Sequence, residues 1–231
     1  MRINKNILLV VLVFSFSSFT TEKNFKDYYY QIANKVEIKI YKYIDKNNPS
    51  RHEYWKVTTN PNLNKIITES YTTDFRLYNY FEEELKSDGA ELIRYEDFEK
   101  DSKEEIINIV GKVIDKDVFK WKDTNSYKYS VKYNNPNYGN AHFTKERIKN
   151  SFENIYVRGK EYSTLMFKDK YIIKLLDANQ QYEYYQFTYY AKGVGMVEYQ
   201  RYLPDGTVVE LELAEFILED DFNKLIKNSN K

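Results

Sequence analysis

The chain has 231 residues, room for one domain with a substantial core, and no cysteine, which excludes disulfides, thiol nucleophiles and Cys-ligated metals. Lys and Arg (35) balance Asp and Glu (35), so no overall field draws it to nucleic acid or to an anionic membrane. With 24 Tyr, 14 Phe, 7 Gly and 4 Pro, the composition leans toward pleated, half-buried structure and away from disorder.

The N-terminus, MRINKNILLVVLVFSFSSFTTEKNF, places Arg2 and Lys5 before the apolar run 7–14, and Ser15, Ser17, Ser18, Thr20 and Thr21 after it. That is the plan of a secretory signal peptide over residues 1–20, and the run falls short of the ~20 residues that span a bilayer. No lipobox cysteine follows, so the expectation is export without a lipid anchor and no transmembrane span after cleavage. Residues 21–231 are predicted to form a single β-rich domain.

In KVEIKIYKYI (35–44), Val36, Ile38 and Ile40 alternate with Lys35, Glu37 and Lys39, the pattern of a half-buried strand. Turn residues cluster at 45–50, EYWKVTT resumes the strand pattern, and NPNLN marks the next turn. KIITESYTTDFRLYNYF carries β-branched and aromatic residues onward to Phe81. Asp88-Gly89, between FEEELKS and AELIRYEDF, signals a hairpin. Ser102 and Glu105 match a capping box before Ile106, but Gly111 weakens a long helix, so a strand preceded by a short helical turn is expected.

SYKYSVKY puts Tyr127, Tyr129, Val131 and Tyr133 on one face. IYVRGKEYSTLMF suggests two strands around Arg158-Gly159, followed by strands at KYIIKLLD and QYEYYQFTYY. The last residues, from Glu219, suggest a frayed tail or a short helix.

YYAKGVGMVEYQRYLPDGTVVELELAEF (189–216) holds Gly193-x-Gly195, but neither the third glycine of a dinucleotide fingerprint nor the Gly-Lys-Ser/Thr of a Walker loop. The glycines are therefore expected to shape a bend or bulge, and Pro204, Asp205 and Gly206 a turn, within an antiparallel meander. YYAKGVGMVEY followed by LPDGTVVELEL resembles the closing segment of TapB-like exported bacterial β proteins. VIDKDVFKW (113–121) and RGKEYSTLMF (158–167) sit where that pattern places strands. The resemblance, over the C-terminal half, implies an exported protein similar in fold to the curved half-barrels of periplasmic lipoprotein carriers. It carries over no catalytic residue.

Chemistry-bearing patterns are sparse. His52 and His142 lack zinc-site spacing, and the acidic runs at 101–105 and 219–221 lack an EF-hand loop. There is no G-x-S-x-G elbow, and nothing selects a carboxylate pair for glycoside hydrolysis. No catalytic residue, metal or cofactor is assigned, and a non-enzymatic role is favoured. The tyrosine stripes remain: Tyr127, Tyr129, Tyr133, Tyr182, Tyr184 and Tyr190. As cross-strand pairs they are ordinary core; on a concave face they would line a ligand site.

The expected fold is mainly β, a single curved antiparallel sheet or half-barrel, with one or two short helices, one over the open side. The expected function is an exported β protein binding a hydrophobic or lipid-like molecule on its concave aromatic face, which requires an apolar cavity of ~300 Å3 or more. The alternatives are a carbohydrate-binding or glycan-processing surface, and a structural or interaction module of the cell envelope pairing through a free strand edge.

Overall fold

The computed structural model describes residues 24–229; the signal-peptide segment 1–20 lies outside them. Twelve antiparallel strands follow in chain order: β1 (Glu37–Asp45), β2 (His52–Asn60), β3 (Lys65–Tyr71), β4 (Leu77–Leu85), β5 (Gly89–Lys100), β6 (Ile106–Lys120), β7 (Tyr127–Asn135), β8 (Gly139–Val157), β9 (Lys160–Leu175), β10 (Gln180–Ala191), β11 (Gly195–Tyr202) and β12 (Val208–Ile217). Each pairs with its chain neighbours, and β1 pairs with β12, so the sheet is a closed barrel. This corrects the expected open sheet or half-barrel. Alternation fixes which face a residue takes but not which strands meet. Closure also uses bulges at Lys42/Tyr43, Ser70/Tyr71, Glu82/Glu83, Val113/Asp115 and Lys149/Ser151, where the strands bend more sharply. Closure pairs every strand on both sides over part of its length, but β8 beyond Arg147, as far as Val157, is paired only with β9, so a stretch of strand edge remains.

The two ends differ. At the base, a 3-10 turn at Phe25–Tyr28 and the residues after it enter the barrel. Phe25 N–H donates to the Trp121 carbonyl (2.7 Å) and Gly193 N–H to the Asp27 carbonyl (2.8 Å), which ties this segment to two basal loops. Tyr29 packs on Phe119, Trp121 and Tyr190, in a core shared with Phe25, Tyr30, Tyr127 and Phe167. Gly193 and Gly195 form the β10–β11 turn with φ of 76° and 99°. A Cβ on Gly195 would lie 2.5 Å from the Tyr30 ring, so the second glycine makes room for the N-terminal plug. At the opposite rim, Leu203–Gly206 form the β11–β12 turn: Gly206 N–H donates to the Leu203 carbonyl and Thr207 N–H to Asp205 Oδ1.

One local expectation changes and another is completed. Residues 101–105 form a tight turn organised by Asp101, whose carboxylate accepts from Lys103 and Glu105 N–H, and β6 starts directly after it. In β1 the lumen-facing pair is Tyr41 and Tyr43, while Ile38 and Ile40 face outward under helix α1 (Glu219–Ser229), whose Phe222 packs on Tyr54, Tyr71 and Phe75. The helix thus covers a wall rather than an open side. Its Glu219, Asp220 and Asp221 occupy the first turn, where carboxylates are favoured by the helix dipole.

The outer wall carries ion pairs such as Lys56–Glu69, Lys42–Glu215 and Lys170–Glu183. Charged pairs of this kind are foreign to the apolar outer band of a membrane barrel. No helix among the described residues is long and apolar enough to cross a membrane.

Candidate functional site: a charged cavity inside the barrel

Above the aromatic base the lumen holds a void of about 260 Å3. Tyr29, Tyr30 and Tyr190 form its floor, and Tyr78, Tyr95, Tyr129, Tyr171, Tyr184 and Tyr199 its walls. Glu83, Asp97, Lys145, Arg147 and Arg201 also line it. A void so furnished is not the contiguous apolar cavity the lipid-like reading calls for, and it is smaller than the volume that reading set.

Cross-strand register explains how the charges meet. Arg147 on β8, Asp169 on β9, Gln186 on β10 and Arg201 on β11 stand directly opposite one another in succession, all pointing inward. Arg147 Nε donates to Asp169 Oδ1 (2.7 Å) and Nη2 to Oδ2 (2.9 Å), a bidentate pair. Lys145 Nζ lies 3.0 Å from Oδ2, and the Thr188 hydroxyl donates to the same oxygen at 2.8 Å. Gln186 links onward: its Nε2 donates to Thr188 Oγ1 (2.9 Å), and its Oε1 accepts from Arg201 Nε (2.9 Å). Burial alone would raise the Asp169 carboxyl, but Arg147 and Lys145 beside it hold it at about 2. Burial also lowers the Lys145 ammonium, and Arg147 adds to that effect.

The next row toward the rim runs Tyr129, Lys145, Tyr171, Tyr184. The Tyr171 and Tyr184 rings stack at 4.6 Å and 9°. Lys145 Nζ lies 5.0 Å and Arg201 Cζ 5.8 Å from the Tyr171 centroid, so both cations rest on aromatic faces.

Acids occupy the other wall. Tyr29 Oη donates to Glu83, joining the plug to β4, and burial pushes Glu83 up to about 7. Asp97 accepts from Asn79 Nδ2 and Tyr95 Oη, both at 2.8 Å; burial nonetheless pushes it up to about 6. Glu53 accepts from Trp55 Nε1, Tyr78 Oη and Tyr199 Oη.

Of the six tyrosines singled out in the sequence, Tyr129, Tyr184 and Tyr190 line the void. Tyr127 belongs to the base, where its hydroxyl has no partner among the described residues. Tyr133 packs nearer the rim with Tyr129 and Phe143, and Tyr182 is 48% exposed. The charged residues of the lumen were missed. Their signal was a charge on the apolar parity of a strand: Asp169 between Phe167 and Tyr171, Arg201 beyond Tyr199, and Lys145 and Arg147 after Phe143. Among the described residues no group of three or more His, Asp or Glu is placed to hold a metal.

No protein-family model matches the sequence, and no curated protein matches it. Three solved structures are similar. A protein of Parabacteroides distasonis ATCC 8503, provisionally named a lipoprotein, aligns at 11% identity over 82% of this chain and 98% of its own, with a TM-score of 0.52. The hypothetical lipoprotein YmcC of Escherichia coli K12 aligns at 11% identity over 81% and 89%, with a TM-score of 0.37. An exported protein of Bacteroides fragilis NCTC 9343, also provisionally named and with a YmcC-like fold, aligns at 9% over 82% and 99%, with a TM-score of 0.33. The first shows a shared fold and nothing more. The resemblance to TapB-like proteins and carrier half-barrels is overturned: no family model matches, the sheet closes, and the segment that carried the resemblance is the β10–β12 meander that closes it against β1.

Proposed function

We propose that this chain is an exported, non-enzymatic binding protein that encloses a small ligand inside its barrel. The void carries the reading. Eight strands enclose just enough room for side chains to fill, and twelve leave more, space that can hold a ligand; charges are expensive to keep inside a barrel that only needs to be stable. Here the base is packed with aromatic rings while the middle keeps a void lined by five acidic or basic side chains. At about 260 Å3 it suits a molecule smaller than an acyl lipid. Export rests on the signal-like residues 1–20, and the lipoprotein name of the Parabacteroides distasonis protein supports it. Native mass spectrometry of the chain purified from its own host tests the reading. Wild type should retain a small mass, and Ser70→Phe, which pushes a ring into the void, should lose it. A bare polypeptide mass in both would refute the proposal.

One observation favours the glycan-binding alternative. Tyr185 and Tyr202 stack at 4.9 Å and 15° on the outer wall, with Tyr185 38% exposed. If that stack is the site, Tyr185→Ala abolishes glycan-array binding and leaves the lumen mass unchanged.

A further inference from the structure

The lumen contains two charges of opposite sign that do not meet. Arg201 donates to a neutral amide, Gln186, and sits over Tyr171, Tyr184 and Tyr199; no carboxylate lies within 4 Å of it among the described residues. Asp97 accepts from Asn79 and Tyr95, both neutral, and likewise has no cation within 4 Å among the described residues. Of the other charges, Arg147 and Lys145 share Asp169, Glu83 is bonded to Tyr29, and Glu53, held by three neutral donors, does not line the void.

Topology places the two on facing walls. From β11 to β5 is six steps around a ring of twelve, the diametrically opposite position. β5 and β11 run in the same direction, and both residues lie close to the ends of their strands at the same rim, Asp97 before Lys100 and Arg201 before Tyr202. Both line the one void, with tyrosine rings between them. An unpaired cation and an unpaired carboxylate held apart by an empty, aromatic-walled space form a complementary frame for a molecule with both charges.

Building on the lumen-binding reading, we propose that the ligand is a small zwitterion with a flat or apolar body: its carboxylate pairs with Arg201, its ammonium with Asp97, and its body lies among the tyrosine rings. Arg suits a carboxylate because its planar fork donates two parallel hydrogen bonds, and an ammonium over aromatic walls gains cation–π attraction.

Isothermal titration with four probes of one shape tests this: 4-(aminomethyl)benzoate, 4-methylbenzoate, 4-methylbenzylamine and uncharged 4-methylbenzyl alcohol. On the wild-type chain the zwitterion should bind at least about tenfold more tightly than either singly charged probe. Arg201→Gln should weaken the zwitterion and the benzoate by about tenfold or more and leave the amine unchanged; Asp97→Asn should weaken the zwitterion and the amine and leave the benzoate unchanged. The wild-type series stands even if a variant fails to fold. Equal binding of zwitterion and benzoate, or of zwitterion and alcohol, overturns the inference while leaving a ligand-holding lumen intact. If no probe binds, the inference falls; if the host-purified chain also retains no mass, the lumen reading falls with it.

Discussion

The base of the barrel and the space above it are built from the same residue type and do opposite things with it. At the base, Tyr29, Tyr30, Tyr127 and Tyr190 pack against Phe119, Trp121 and Phe167, and the volume is filled. One layer higher, Tyr129, Tyr171, Tyr184 and Tyr199 surround a void and share it with charged side chains. Tyrosine content alone therefore says little about which part of a barrel binds; what separates the two regions is whether a charge stands on the inward parity of the strands.

That contrast can be broken from either side. The largest effect should come from Asp169→Asn, which leaves Arg147 and Lys145 buried without their shared carboxylate; urea unfolding should show a loss of about 3–5 kcal/mol. Replacing Lys145, Arg147 and Asp169 together by Met, Met and Leu should cost far less stability, separating the penalty of a stranded buried charge from the net contribution of the paired cluster.

Next is pH. The Glu83 carboxyl is raised from 4.5 to about 7 by burial, so the folded chain holds that proton more tightly than the unfolded one. The resulting stability is complete below about 4.5 and is lost as the pH rises through about 7, an effect of order 3 kcal/mol. Glu83→Gln has no such proton to lose. Unfolding free energies at pH 4 and pH 8 should therefore diverge between the two proteins, with the variant gaining at pH 8; parallel curves would mean that Glu83 is better solvated than its surroundings indicate.

At the base, Gly195→Ala drives a Cβ into the Tyr30 ring at a φ of 99°, and thermal unfolding should report a loss of about 2 kcal/mol. The smallest effect belongs to the outer wall: Lys56→Met removes the half-buried pair with Glu69 and should change stability by less than about 1 kcal/mol.

Much of the fold was legible strand by strand. Clean alternation in SYKYSVKY, the Asp88-Gly89 hairpin, the Arg158-Gly159 turn and the Leu203–Gly206 turn all correspond to observed elements, because side-chain period and turn residues act locally; Arg158, Gly159 and Gly206 take positive φ, whereas Gly89 does not. Closure was not legible, since it depends on β1 pairing with β12 across the length of the domain, and no local pattern encodes a partner so distant. The half-buried face of β1 was legible and Ile40 is buried, but that it is the outer face was not, because helix α1, which covers it, returns from the far end of the chain. Three of the nine tyrosines that line the void, Tyr129, Tyr184 and Tyr190, were visible as stripes. The Arg147–Asp169–Gln186–Arg201 row was not, because its members come from four strands and align only once the register is set.

The central claim is that the middle of this barrel is a polar receptacle rather than an imperfectly filled core. A high-resolution crystal structure of the chain purified from its own host tests it most directly. The account predicts ordered non-protein density bridging Arg201 and Asp97 between the tyrosine rings. A lumen collapsed so that Arg201 pairs directly with Asp97 or Glu53, with no room for a ligand, would contradict it.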